Sequence, residues 1–229
     1  WDVGVPMLAL GSDAELAELA TTELAQPTAG SAQLALADRW LELAEQRKTD
    51  AKPLRRHALD WYLRASHKLE GLPQRKALTK VADAEKWVSK DATYTTSPLN
   101  SEDDRRYPPL PSLLTESEKY HDIDSKFAMH LTGVNAYVTV DLKREVPISR
   151  LLIYNRTSTP HRARGMIVYV SSSPQHRGEA IWRAPDGAEQ WDVRLPKLAV
   201  GRFVTIAFDP TRTDDAIFHL RKVKIYGVE

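Results

Sequence analysis

LLIYNRTSTPHRARGMIVYV, residues 151–170, sets two strand-like runs, Leu151 to Tyr154 and Met166 to Val170, on either side of a loop. The flanks are β-branched, aliphatic and aromatic, and the middle is Thr, Ser and Pro, which predicts an antiparallel connection at the rim of a sheet. That loop carries Arg156, His161, Arg162 and Arg164 and no acidic residue. A cluster of donors without acceptors suits an oxygen-rich ligand, because a guanidinium offers only N–H groups, in a fixed fork.

The same grammar extends in both directions. DATYTTS, NAYVTVDLK, SRLLIYNR, GMIVYVSSS, EAIWRAP, QWDVRL, RFVTIAFD and FHLRKVKIYGV are eight short runs rich in Val, Ile, Thr and Tyr, separated by Pro, Gly, Asp and Ser. Strands at this spacing, with no helical stretch between them, predict a sandwich or barrel. The long irregular segment SPLNSEDDRRYPPLPSLLTESEKYHDIDSK separates the first two runs, and loops of that length are usually functional or poorly ordered.

Residues 1–89 follow a different period. SDAELAELATTELAQP, SAQLALADRWLELAEQ, PLRRHALDWYLRASHKL and PQRKALTKVADAEKWV each keep apolar residues on one helical stripe, with Ser12 and Asp13 as cap candidates and Pro53 and Pro73 in first turns. Four helices with short connections predict two antiparallel hairpins. The expected organisation is therefore a helical spacer domain, 1–89, followed by a β-sandwich binding domain, 90–229.

Bulk numbers exclude several classes. Lys+Arg 32 against Asp+Glu 31 gives a net charge of +1, unlike the basic surface of a dedicated nucleic-acid binder. No apolar run reaches the ~18 residues a spanning helix needs. The absence of cysteine removes disulfides, thiolate nucleophiles and cysteine zinc sites. The opening WDVGVP, without Met or a leader, is expected of a fragment of a longer protein.

The C-terminal part resembles the discoidin, or coagulation-factor C-type, domain and its fucose-lectin relatives. The resemblance runs in order through ATYTTS, VTVDLKREVPISRLLIYNR, HRARGMIVYVSSS, WDVRLP, GRFVTIAF and FHLRKVKIYG, about 138 residues. It implies an eight-stranded jelly roll whose loops at one end form the ligand face. In the fucose-binding branch a histidine before the VDL strand and two arginines around the next turn hold the sugar. His130, Arg156 and Arg162 occupy those positions, and Tyr120, or Tyr107, would supply an apolar surface for the sugar ring. Three features depart from that branch. Ser158 and Thr159 stand in place of two adjacent cysteines, the gap from Arg156 to Arg162 is one residue shorter, and Lys222 replaces a glutamate of the calcium clamp. Lysine repels calcium, so no metal cofactor is expected, although Asp122 and Asp124 in HDIDSK look like part of such a loop. In the helical part, ADRWLELAEQ with RRHALDWYLRA resembles a tetratricopeptide-type repeat over about one and a half units.

Plainer readings stand beside these. Arg156 and Arg162 would equally serve to tie a strand end to backbone carbonyls or to a carboxylate such as Asp141. His57 and His67, ten apart, read as solvated, and the helical aromatics as core. DDRR at 103–106 reads as a solvated loop, and YPPLPSLL is the one candidate for a membrane-touching loop tip. The aspartates of HDIDSK, two apart, point to opposite faces of an extended chain, and no histidine sits to activate a serine of SSS, 171–173, so no enzyme is expected. The expected function is a non-catalytic module binding carbohydrate or glycoconjugate, extracellular or at a cell surface, with other domains of the parent protein as further partners. The alternative is a protein-docking or architectural module whose arginines are structural.

Overall fold

The computed structural model describes residues 1–47, 49–106, 111–114, 129–209, 211 and 217–228. The chain divides into two compact units: Trp1–Glu85 with Pro196–Leu198 and Val228, and Lys86–Leu195 with Ala199–Gly227.

The helical unit holds α1 (Gly4–Ala9), α2 (Ala14–Leu24), α3 (Gly30–Gln46), α4 (Ala51–Ser66) and α5 (Gly71–Ala84). The N-terminus of α2 is set by Asp13, whose carboxylate accepts from Leu16 N at 3.1 Å. Tyr62 Oη donates to Asp38 Oδ1 at 2.5 Å while the Trp40 ring meets His57, so α3 and α4 run antiparallel. Five helices stand where the periodicity predicts four, because the short α1 lacks a periodic stripe long enough to read. The last expected helix stops at Ala84, and α4 stops at Ser66, after which Gly71 (φ +64) opens α5. Helix lengths of 6, 11, 17, 16 and 14 residues do not repeat as pairs, so no tetratricopeptide-like repeat is seen among the described residues. His57 is buried, correcting its reading as solvated: Nε2 lies 2.6 Å from Glu23 Oε2, which also accepts from Trp40 Nε1, and the Trp1 ring stacks on the imidazole.

In the second unit, nine strands are found among the described residues instead of eight: β1 (Glu85–Trp87, of which Glu85 clusters with the helices), β2 (Thr93–Thr96), β3 (Met129–Thr132), β4 (Tyr137–Tyr154), β5 (Met166–Ser171), β6 (Glu179–Arg183), β7 (Gln190–Phe208), β8 (Ile217–Leu220) and β9 (Lys222–Val228). The runs before and after LKREVPI fuse into β4, and WDVRL and RFVTIAF fuse into β7, because bulges carry the ladder through the intervening residues. FHLRKVKIYGV instead breaks at Arg221 into β8 and β9. The order is β1-β9-β4-β7-β5-β6 with β2 on the flank of β4, and β3 pairs β8 in a separate two-stranded sheet.

Alternation along these strands defines one core. Val138 and Val140 from early β4, Leu151 and Ile153 from late β4, and Val204, Ile206, Val223 and Ile225 belong to one buried cluster. The irregularity between Asp141 and Val146 lets a single strand serve both layers of the sandwich. Lys143 adopts φ +67 there, and its N–H donates to Asp141 Oδ1 at 2.8 Å. DDRR belongs to a short helix, α6 (Glu102–Arg106), not to irregular loop. Leu113 and Leu114, within the 3₁₀ turn Pro111–Leu114, are buried in the sandwich core, which removes them as membrane-touching tips. Replacing Leu113 by Ala should therefore destabilise the protein by about 2–5 kcal/mol in urea denaturation. A change below about 0.5 kcal/mol would contradict that placement.

Candidate ligand site at the sandwich rim

Strand β4 ends at Tyr154, and the next residue, Asn155, is fully buried with every polar group used. Its N–H donates to Glu189 O at 2.8 Å. Its Nδ2 donates to Pro160 O at 3.1 Å and Ala188 O at 2.9 Å, and its Oδ1 accepts from Arg156 N at 2.7 Å. Its own carbonyl accepts from Arg221 Nε at 2.6 Å. One side chain thus fixes both ends of the turn from 155 to 160 and the neighbouring loop at 188. The two loops approach so closely that a Cβ on Gly187 would lie 2.3 Å from His161 Cα, which only glycine permits.

Beyond that pin, Pro160–Ala163 forms a 3₁₀ turn with Ala163 in the core, and Gly165 (φ +74) swings the chain into β5. Arg156 and Arg162 are half-buried on this loop, while His161 and Arg164 are exposed. Arg156 Nε donates to Ser158 Oγ at 2.7 Å, and its two terminal nitrogens make no hydrogen bond with the described residues.

His130 and His219 stand directly opposite each other in the β3–β8 pair. Their rings meet edge to face at 4.9 Å, with His130 Nδ1 3.3 Å from His219 Nε2. His219 Nδ1 in turn lies 3.4 Å from Thr159 Oγ1. Neutral imidazole has one donor and one acceptor nitrogen, so this chain has two registers. If Thr159 donates, His130 Nε2 carries the proton; if Thr159 accepts, His130 Nε2 is an acceptor. Both histidines are buried, at 7 % and 2 % exposure. Burial lowers the His219 pKa from 6.5 to about 3, helped by the positive charges of His130, Arg156 and Arg162. His219, an imidazole that the sequence reading missed, thus faces His130 and feels the charges of the rim arginines. Its only signal was the alternation in FHLR, whose partner strand β3 was not read as a strand.

The plainer reading of the arginines meets two other residues. Asp141 is held by the Arg202 fork, at 2.8 and 2.9 Å, and by Lys143. Hydrogen bonding to Arg202 keeps its carboxyl well below the usual range. The strand-end carbonyl of Asn155 is taken by Arg221. The anchoring jobs considered for Arg156 and Arg162, at Asp141 and at this carbonyl, thus fall to Arg202 and Arg221, neither of which stood out in the sequence.

Tyr120, Tyr107, Asp122 and Asp124 lie outside the described residues. Among the described residues no group of three or more His, Asp or Glu gathers as a metal-ligand set. Lys222 lies in β9, opposite Tyr154.

No family profile matches the chain, and no curated protein matches it. Solved structures do. The fold is similar to that of a fucolectin from striped bass serum, with TM-score 0.52 and 18 % identity, over 62 % of this chain and 49 % of that one. The matched region therefore spans about half the length of that lectin. A fucose-binding module of Streptococcus pneumoniae aligns with TM-score 0.49 and 16 % identity, covering 63 % of this chain and 99 % of that one. A family 32 carbohydrate-binding module from C. perfringens NanJ, in complex with galactose, aligns with TM-score 0.45 and 11 % identity, covering 62 % and 98 %. The likeness to the fucolectin places the sandwich in the lectin-like jelly-roll fold, as the sequence resemblance implies.

Two outcomes follow from the geometry. Asn155→Ala leaves the carbonyls of Pro160 and Ala188 short of a donor and should cost on the order of 3 kcal/mol in denaturant. For His219, the unfolded chain takes up the proton first as pH falls from 6.5, so this group withdraws stability between about pH 6.5 and 3. The slope approaches about 1.4 kcal/mol per pH unit inside that window and vanishes above it. His219→Gln should flatten the difference between denaturation midpoints at pH 7 and pH 4.5. An unchanged pH dependence would contradict the buried neutral imidazole.

Proposed function

We propose that this protein is a non-catalytic carbohydrate-binding module, residues 90–229, carried on a helical spacer, residues 1–89. Arg156 and Arg162 supply the N–H donors to the sugar hydroxyls and ring oxygen, and His130, backed by His219, forms the wall of the site. Tyr120 is assigned the apolar face against the C–H side of the ring. The observation that carries this reading is the state of Arg156. Its terminal nitrogens are left unspent by the described residues while Arg221, not Arg156, secures the strand-end carbonyl. The lectin-like fold adds support. A rim loop pinned by Asn155 presents its donors without a further ordering cost, which is how a small polar site gains affinity.

A single shallow site binds weakly, so useful avidity requires several copies or tethering to a surface. Such a module works where glycans are displayed, outside the cell or on its surface, and no helix among the described residues is long and apolar enough to cross a membrane. The ligand is a carbohydrate or glycoconjugate, and fucose and galactose are the first sugars to try. Binding without a metal is expected, because Lys222 stands where the family resemblance puts the glutamate of a calcium clamp.

A glycan array with the full chain tests this reading. Binding to fucosylated or galactosylated glycans is expected, unchanged by EDTA. Arg156→Ala and Arg162→Ala should each reduce it at least tenfold, and Arg156→Ala should change the unfolding free energy by less than about 0.5 kcal/mol. Silence across the array from folded protein, or unfolding of both variants, would favour a docking module with structural arginines.

A further inference from the structure

The outer face of the sandwich carries a second depression that shares no residue with the rim loop. Strand register builds its floor. Thr95, Thr139, Thr205 and Tyr169 form one rung across β2, β4, β7 and β5, and Thr93, Asp141, Phe203 and Ser171 form the next. These are the residues left outside by the alternation that sends Val138, Val140 and Val204 into the core. An outward sheet face is ordinarily solvated, yet here Thr205 and Phe203 are only 5 % and 8 % exposed.

The cover is the loop from Ser171 to Gly178. Ser171 Oγ donates to Ser173 O at 2.7 Å and accepts from Ser173 N at 2.9 Å, and His176 Nδ1 approaches it at 3.3 Å. Gly178 (φ +78) permits the return, since a Cβ there would sit 2.0 Å from Val170 O. The loop lays the Arg177 guanidinium over the Tyr137 and Tyr169 rings, at 5.8 and 5.7 Å. Between this loop and the floor lies a cavity of about 280 Å³. That is near the small end of the roughly 300–1,000 Å³ of ligand pockets, and suits one or two sugar rings.

Its chemistry is that of a polyol site. Asp141 is neutralised by Arg202, so no uncompensated carboxylate faces the space. Thr139 Oγ1 and Thr205 Oγ1 are 2.8 Å apart and share one hydrogen. The second hydroxyl hydrogen has no partner among the described residues, although Thr205 is almost wholly buried. Tyr137 and Phe203 line the same space with aromatic surface. A peptide strand would seek an unpaired sheet edge for its backbone, and this depression lies on a face, over strands already paired on both sides at β4 and β7.

We propose that this depression is a second carbohydrate site, taking a neutral mono- or disaccharide unit within a longer glycan, with Thr139 and Thr205 as hydroxyl partners and Tyr137 and Arg177 as the wall. It is independent of the rim site.

The test uses the full chain, ¹⁵N-labelled, titrated with lactose, chitobiose, maltose and xylobiose, in the wild type and in Arg156→Ala/Arg162→Ala protein. At least one disaccharide should shift the amides of Thr95, Thr139, Thr205 and Arg177 in both proteins alike. Tyr137→Ala and, separately, Thr139→Val should each weaken that binding at least fivefold with the rest of the spectrum intact. No shift at these amides with any of the four, from folded protein, would overturn the proposal. So would shifts that vanish in the rim double variant, or shifts produced only by a mixed-sequence decapeptide. Groove shifts in the wild type with no sugar-induced change at the rim loop would count against the rim reading alone.

Discussion

Asn155 is the constraint on which the rim depends. A strand end normally leaves polar backbone groups to water, and a buried one must pair them all. Here a single amide side chain reaches Pro160 O on one side, Ala188 O on the other and Arg156 N ahead of it, while Arg221 holds its carbonyl. Because the bonds close loops from three parts of the sequence, the turn carrying Arg156 and Arg162 is set by the fold and not by its own residues. Gly187 makes the close approach possible and Ala163 roots the turn in the core.

With that frame in place the arginines divide their labour. Arg202 is forked onto the Asp141 carboxylate at the bend of β4, and Arg221 gives its Nε to the Asn155 carbonyl. Arg156 leans its Nε on Ser158 and keeps its terminal nitrogens from the described groups. Arginine that is already forked onto a carboxylate has little left to offer a ligand, whereas one held by a single bond is oriented yet still has donors. The His130–His219–Thr159 chain admits two hydrogen-bond registers, which differ in whether His130 Nε2 donates or accepts.

Much of this was legible in the sequence, and the exceptions have physical causes. The alternation in YVTVDL and MIVYVS announces strands, their spacing points to a sandwich or barrel, and the resemblance to the discoidin domain implies the jelly roll. What alternation cannot report is how a bulge lets one strand bend between layers, so β4 and β7 were each read as two. It is equally blind to register between distant segments. His219 carries no local signal because its importance comes from facing His130 across a strand pair, β3–β8, that local pattern does not reveal. His57 was misread for a similar reason, its Glu23 partner being 34 residues away. The four rim residues stood out because the loop concentrated their charge in one short stretch, and the two anchoring arginines did not because each sits alone in a strand context.

The central proposal is that Arg156 keeps its terminal donors for a ligand while Arg202 is committed to Asp141, and one spectrum separates the two. In ¹H–¹⁵N correlation of arginine Nε–H groups, addition of L-fucose or D-galactose should shift Arg156 and Arg162 and leave Arg202 and Arg221 in place. Saturating sugar that moved none of the four, or that moved Arg202 and Arg221 instead, would contradict the account.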